Sequence, residues 1–442
     1  MRHLRVFYIL TITQVLSLIG SMMTHVAVSI KVFNDTGDST PVLMASFFSA
    51  LPMMAGGCFA GVLADRWKRR HVLIASDAGQ AVGTFLLLLS FLGGGFQLWH
   101  LYAVSFAQGL LGMLQRPAME ASVTMLVPEG HRDRANTIRQ ITGPAAGMVA
   151  PVVTGLVYAA VGVTGVMAID LLTFAVAIMV VYLVHIPQPQ RTEEGQAAEG
   201  SVWKETWGGL QFLGERRILL SLMVYAACLN FLLSGPMNLT TPYIITLTGS
   251  EATLGLLMGA MNVGIVVGGI VMGVWGGTRP RIHGIMLGLL FRAVWLVIYG
   301  LARTPPVLGL ALFFVFFTNA LVDASIMSIM QVKIPPDMQG RVFALLFQMM
   351  YIANPLSLFV TGPLVDRVLT PAVGAPGWEL VAPLVGSGAG SGMGLLMVVA
   401  GGAIFALTAT VYALPQTRNV ESSLPDYAAI EERAPIQAIS AG

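Results

Sequence analysis

Gly61-Val62-Leu63-Ala64-Asp65-Arg66-Trp67-Lys68-Arg69-Arg70 joins an apolar stretch at 42–64 to another at 72–93. Within this segment the chain leaves a run suited to hydrocarbon, places one carboxylate and four cations side by side, and returns to apolar sequence. A single charge at the centre of a bilayer costs at least about 2.5 kcal/mol. Five charges so close together therefore mark a water-facing turn between two membrane crossings.

Composition extends this reading to the whole chain. Of 442 residues, 10% are Asp, Glu, Lys or Arg, 55% are hydrophobic, and the mean hydropathy is +0.76. A soluble domain carries about 25% charged residues, so there is too little polar surface here to cover a water-facing globule of this size. That excludes a cytosolic enzyme, a disordered protein and a secreted disulfide scaffold. Cys58 and Cys228 each sit inside an apolar run and read as small packing residues.

Stretches of about 20 apolar residues cross hydrocarbon as helices that satisfy their own backbone hydrogen bonds. Twelve occur, at 6–30, 42–64, 72–93, 98–118, 136–160, 163–185, 218–244, 252–275, 282–302, 306–330, 342–368 and 391–414. The first follows Met-Arg-His-Leu-Arg like a signal peptide, but its apolar run is longer and no small-residue cleavage site follows, so it reads as a retained helix. Of the 24 Lys and Arg, Arg116, Arg139 and Arg292 fall within spans, and Lys31, Arg303 and Arg367 fall on the side opposite the N-terminus. The other eighteen lie on the N-terminal side. This asymmetry predicts an inner-membrane protein with both termini in the cytoplasm.

The expected organisation is an all-α polytopic protein of two parallel six-helix repeats: an N-terminal bundle at 1–186, a cytoplasmic linker at 187–217, a C-terminal bundle at 218–414 and a flexible tail at 415–442. The segment at 370–391, rich in Gly, Pro and Ala, reads as an irregular outer loop. A shift of 207 residues superposes Val127-Pro128 on Ile334-Pro335, Arg134 on Arg341, Ala146 on Ala353, and Val153-Thr154-Gly155 on Val360-Thr361-Gly362. Parallel repeats of this kind are a transporter architecture, with the substrate site near the midplane between them.

The order Gly61, Leu63, Ala64, Asp65, Arg66, Arg69, Arg70 resembles the signature loop of the major facilitator superfamily, although Lys68 stands where the pattern has a glycine. Arg116-Pro117-Ala118, Leu126-Val127-Pro128, Ala135-Asn136, Gln331, Pro335 and Gly340-Arg341-Val342 resemble its macrolide-efflux and enterobactin-exporter branch. The resemblance implies a proton-coupled exporter of amphiphilic drugs, antibiotics or siderophores that works by alternating access as a monomer, with no cofactor and no nucleic-acid partner. An importer or lipid transporter is the alternative within transport, and a receptor or scaffold is the alternative outside it. Asp65 is expected to meet the positive end of span 11 when the cytoplasmic side closes. Gly143-Pro144-Ala145-Ala146-Gly147 resembles the antiporter motif with Met148 in place of its closing glycine; a Pro-kinked helix packed through small residues accounts for it equally. Ser105 occupies the place of an arginine in many antiporters, which removes proton coupling by that route.

Ionisable groups inside spans are functional candidates. Asp77, Arg116 and Glu120 lie at similar depth and are expected to form a latch, with a static ion pair as the competing reading. Asp323 and Arg292 are a candidate proton-coupling pair, because a carboxylate whose partner changes during rocking can take up and release a proton. His25 joins them as a titratable candidate, although a satisfied core histidine is the expected reading. Asp170 is expected only to cap or solvate the outer end of span 6. Spans 1, 4, 7 and 10 line the cavity in the resembled family, which nominates Met22, His25, Gln108, Met113, Asn230, Asn238 and Asn319, with Gln348 and Asn354 from span 11. Methionine and amide groups suit bulky apolar molecules in several poses. No Walker loop, metal-ligand spacing or nucleophile elbow appears, so ATP-driven transport and enzyme chemistry are unsupported.

Overall fold

The computed structural model describes residues 2–66, 69–127, 132–184, 214, 217–334 and 336–423, and every regular element among them is helical. The long helices are α1 (Arg2–Thr36), α2 (Thr40–Arg66), α3 (Arg69–Leu92), α4 (Leu98–Leu126) and α5 (Arg132–Leu183) in the first half. They are α6 (Arg217–Asn238), α7 (Thr240–Thr248), α8 (Glu251–Trp275), α9 (Arg281–Leu301), α10 (Pro305–Phe317), α11 (Asn319–Lys333), α12 (Pro336–Leu364) and α13 (Ser391–Ala413) in the second. Each of the twelve apolar stretches falls on helix. Nine segments among the described residues are long and apolar enough to cross a bilayer.

Local sequence explains the breaks. The 52 residues of α5 are two crossings that meet at Gly162, whose φ of 67° is a backbone state that costs glycine little. Ser250 caps α8 by accepting the Thr253 N–H at 3.2 Å, and α8 ends at Gly276 in the left-handed region. One crossing bends at Leu239, between α6 and α7 and just after Pro236. Another bends at Thr318, between α10 and α11.

The outer segment expected to be irregular is ordered. Short helical turns at 370–372, 378–380 and 382–385 bury Trp378, whose Nε1 donates to the Gly386 carbonyl at 2.9 Å. Arg303 ties this segment to the bundle through the Val385 carbonyl and the Tyr243 hydroxyl. The start of the tail also departs from expectation. Residues 415–423 form two short helices, α14 (Pro415–Arg418) and α15 (Val420–Ser423), with Val420 fully buried. Glu421 Oε1 accepts the Ile282 N–H at 2.8 Å, which caps the first turn of α9, and its carbonyl accepts from Lys333. Residues 424–442 and nearly all of the predicted linker lie outside the described residues.

Hydrophobic packing divides along the membrane normal. Away from the termini, one continuous cluster joins both halves, with Met23, Ala27, Leu43 and Val166 packed together with Tyr243, Leu254, Leu296 and Met397. On the terminus side the clusters are separate. Phe7, Leu10, Leu73 and Val181 belong to the first half alone, while Tyr225, Leu289, Leu219 and Leu346 fall in two clusters of the second. Among the described residues, one buried core spans both halves at one end, and at the other each buried cluster stays within one half.

Two helix crossings make the seal. On α5, a Cβ at Gly155 would lie 2.7 Å from the Glu251 carbonyl oxygen at the start of α8; facing it, a Cβ at Gly255 would lie 2.6 Å from the Pro151 carbonyl oxygen. On α12, a Cβ at Gly362 would lie 2.9 Å from Thr40 Cα at the start of α2. Gly155 and Gly362 are the matched glycines of the internal repeat, so the Val-Thr-Gly motif marks the places where each half crosses the other.

Replacing Gly255 with Val should therefore cost about 1–3 kcal/mol through overpacking at this crossing. Gly269→Val should leave stability nearly unchanged, because a Cβ there meets nothing within 4 Å. Thermal melting of the two variants in the same detergent checks the contrast.

Candidate functional site

The sealed end carries a helix cap donated across the halves. Asp366, in the π-helical turn Val365–Leu369 that follows α12, accepts the Ser39 N–H at 3.0 Å and the Thr40 N–H at 2.6 Å. These are donors at the start of α2, where the helix has no carbonyl partners of its own and its dipole favours an anion. Ser39 is buried, and its hydroxyl lies 3.8 Å from Met393 Sδ. Further along the seam Phe47 packs on Phe359 with ring centroids 5.5 Å apart, and Gln348 Nε2 donates to the Met54 carbonyl at 2.6 Å. Gln348 thus joins α12 to α2 and does not simply line a cavity.

Below the seal, α6 presents a row of polar groups. Ser234 Oγ donates to Asn230 Oδ1 at 3.1 Å, Asn238 Nδ2 donates to the Ser234 carbonyl at 2.9 Å, and Asn354 Nδ2 on α12 donates to Ser234 Oγ at 3.2 Å. Asn230, Asn238 and Asn354 are thus bonded around Ser234, which the sequence reading did not single out. Met22, Met113 and Asn319 are half-buried. His25 is exposed, unlike the expected core histidine.

Gln108 turns away from the cleft. Its Nε2 donates to the Gln80 carbonyl and to Thr84 Oγ1, both on α3 at 3.3 Å. It belongs to a polar spine inside the first half. At one end, Asp77 accepts from Gln14 Nε2 at 3.0 Å and Gln115 Nε2 at 2.6 Å, and Gln80 Nε2 donates to Gln115 Oε1 at 2.7 Å. At the other end, Asp170 accepts from Thr24 at 3.0 Å and from Ser21 and Thr84 at 3.3 Å. Both carboxylates are 1% exposed. Asp170 is thus not a cap at the outer surface: it ties α1, α3 and α5 together. The partners of the two carboxylates are neutral amides and hydroxyls, which charge pairing does not reveal; Gln14, Gln80 and Gln115 inside apolar spans are their signal in the sequence.

The second half places Arg292 and Asp323 on the wall of one cavity, near enough for their charges to attract but without a direct salt bridge. Arg292 is 7% exposed, its Nε donates to Thr318 Oγ1 at 3.1 Å, and Nη2 has no partner; Asp323 is exposed. Among the described residues the single ion pair is Lys31–Asp35 at 2.6 Å.

Of the predicted gating residues, Arg70 clamps the end of α5. It donates to the Val181 carbonyl at 3.3 Å and to the Tyr182 carbonyl, with its guanidinium 5.3 Å from the centre of the Tyr182 ring. Arg69 is half-buried. Gly143 has open space where a Cβ would sit, whereas Gly147 abuts Asn262 Oδ1, so tight packing in that motif falls on its last glycine. Pro144 lies within α5. The side chains of Asp65, Arg66, Arg116, Glu120 and Arg341, and the surroundings of Gly61, lie outside the described residues.

Residues 10–358 match the family model of the Major Facilitator Superfamily. The chain belongs to the major facilitator superfamily. Its relatives include macrolide efflux protein A of Streptococcus pyogenes, 26% identical over 82% of this chain and 90% of the relative, and the enterobactin exporter EntS of Shigella flexneri, 24% identical over 87% of each. Among solved structures, a bacterial homologue of the human lysosomal transporter Spinster, inward-facing and unoccupied, superposes with a TM-score of 0.68 at 14% identity, covering 95% of this chain and 97% of that one. The nucleoside transporter NupG superposes with a TM-score of 0.66 at 12% identity, covering 92% of this chain and 98% of that one. The chain is a multi-pass membrane transporter of small molecules, and its curated relatives named here are efflux proteins.

If Asp366 holds the seal through the start of α2, Asp366→Ala should lower the closed-end population several-fold, since a helix-terminal anion contributes about 0.3–2 kcal/mol. Spin-label distances between Asp35 and Val373 positions, measured in lipid nanodiscs, should broaden toward longer values in the variant and stay unchanged if the cap is incidental.

Proposed function

We propose that this transporter exports amphiphilic small molecules of the drug, antibiotic or siderophore kind from the cytoplasm, by alternating access coupled to protons. The observation that supports alternating access is the division of the core: one cluster joins both halves at one end, and at the other each described cluster stays within one half. With both termini cytoplasmic, as the distribution of cations favours, this state is inward-facing. Similarity to macrolide, multidrug and enterobactin efflux proteins supports the direction and the substrate class.

The two faces have matching latches in this reading. Asp366, at the outer end of α12, caps the start of α2 in the present state. Asp65, at the cytoplasmic end of α2, caps the start of α12 in the opposite state. Each acid follows one helix and serves the N-terminus of its partner, so breaking one contact frees the rocking motion that makes the other. Proton coupling is assigned to Asp323, which is exposed on a cavity wall beside the Arg292 charge. Substrate contacts fall on His25, Met22, Asn230, Asn238, Asn319 and Asn354, whose amides and thioether suit varied ligands.

Asp323→Asn should bind substrate while losing most gradient-driven efflux from proteoliposomes; full efflux by a well-folded variant would remove the assignment. Orientation has a separate check. Cysteines placed at Thr192 and Ser422 should react with an impermeant maleimide only after the cytoplasmic face is opened, and one at Gly374 should react in intact cells.

A further inference from the structure

A cavity of about 140 Å³ lies inside the C-terminal half, walled by α6, α9, α11, α12 and α13. Every described residue on its wall belongs to that half. The wall is chiefly Leu, Ile and Met, with Met286, Leu289 and Ile326 on facing helices, and four side chains add the notable polar groups. Two of the four have hydrogen-bond partners: the Tyr225 hydroxyl is 2.8 Å from Thr408 Oγ1, and Asn230 Oδ1 accepts from Ser234. The other two are Arg292 and Asp323.

A guanidinium has five N–H donors. That of Arg292 is 7% exposed and makes a single hydrogen bond, from Nε to Thr318, while Nη2 has none. Asp323 presents its carboxylate to the same space without closing an ion pair with it. A buried cation with unused donors and a separated acceptor make an incomplete arrangement, because polar groups in a low-dielectric site are stabilised only when paired. An anionic ligand would answer Arg292 but confront Asp323. A cationic ligand would do the reverse. An uncharged group with a neighbouring acceptor and donor answers both and leaves the local charge balanced.

We propose that this cavity binds an uncharged amphiphile whose polar head carries adjacent hydrogen-bond acceptor and donor groups, such as a diol or hydroxy ester. The head accepts from Arg292 and donates to Asp323, and a short alkyl body lies along Met286, Leu289 and Ile326. The pliable methionine side chains let the body vary while the head stays fixed.

The test uses the full-length protein in lipid nanodiscs and three photoreactive probes of equal chain length that carry a diazirine on the alkyl body: 1-octanoylglycerol, octanoate and octyltrimethylammonium. Cross-linked peptides are mapped by mass spectrometry. The neutral probe should label α9 and α11, be displaced by unmodified 1-octanoylglycerol, and exceed both charged probes there by about tenfold. Ala226→Leu, which adds bulk at the cavity wall, and Arg292→Leu, which removes the donors, should each lower that labelling at least tenfold. Equal labelling of wild-type protein by all three probes would overturn the charge argument, and unchanged labelling in Ala226→Leu would overturn the location. Should Arg292→Leu fail to fold, the probe comparison and Ala226→Leu still decide the matter. Because labelling is read without a gradient, a negative result leaves the export reading standing.

Discussion

The absence of a side chain at Gly155, Gly255 and Gly362 is the constraint on which the closed end depends. Lipid tails are as apolar as leucine, so membrane helices gain little from hydrophobic burial against each other and rely on close approach. At these crossings backbone meets backbone, with the Glu251 and Pro151 carbonyl oxygens and Thr40 occupying the space a Cβ would take. That contact brings Leu43 and Ala27 of one half into the same core as Tyr243 and Leu254 of the other. The same helices run on to the terminus side, where no core spans both halves among the described residues.

The two bundles solve their polar interiors differently. In the first, Asp77 and Asp170 are knotted by glutamines, a serine and threonines into a spine that leaves neither carboxylate without donors. In the second, Arg292 and Asp323 border open space and do not meet. Repeats that share an architecture thus part in chemistry: one surrounds its buried carboxylates with amides and hydroxyls, the other lines a cavity with Arg292 and Asp323.

Remote carboxylates also finish helix starts that local sequence leaves uncapped. Asp366 serves α2 and Glu421 serves α9, each bonding backbone N–H groups more than a hundred residues away in the chain. Local caps such as Ser250 on α8 fix where a helix begins. The remote ones do more, because they make the position of a helix end depend on the placement of another segment, and such a contact can be broken as a unit when bodies move.

The sequence by itself determined the solvent, the helices and the repeat. Twenty-residue apolar stretches, the charges gathered in the turn at Asp65 to Arg70, and the match between Gly155 and Gly362 follow from composition and spacing, which act locally and need no knowledge of neighbours. Tertiary structure alone decided which polar groups meet. Arg292 and Asp323 look like partners by depth, yet the bend at Thr318 supplies the arginine with a hydroxyl and the carboxylate stays apart. Asp170 looks peripheral by position, yet helix packing surrounds it with three hydroxyls. A start of the tail that reads as flexible is docked because Glu421 finds the first turn of α9. Depth along a helix is written in residue number, but rotation about its axis and the identity of the facing side chain arise only when helices pack, and hydrogen bonds are set by those two quantities.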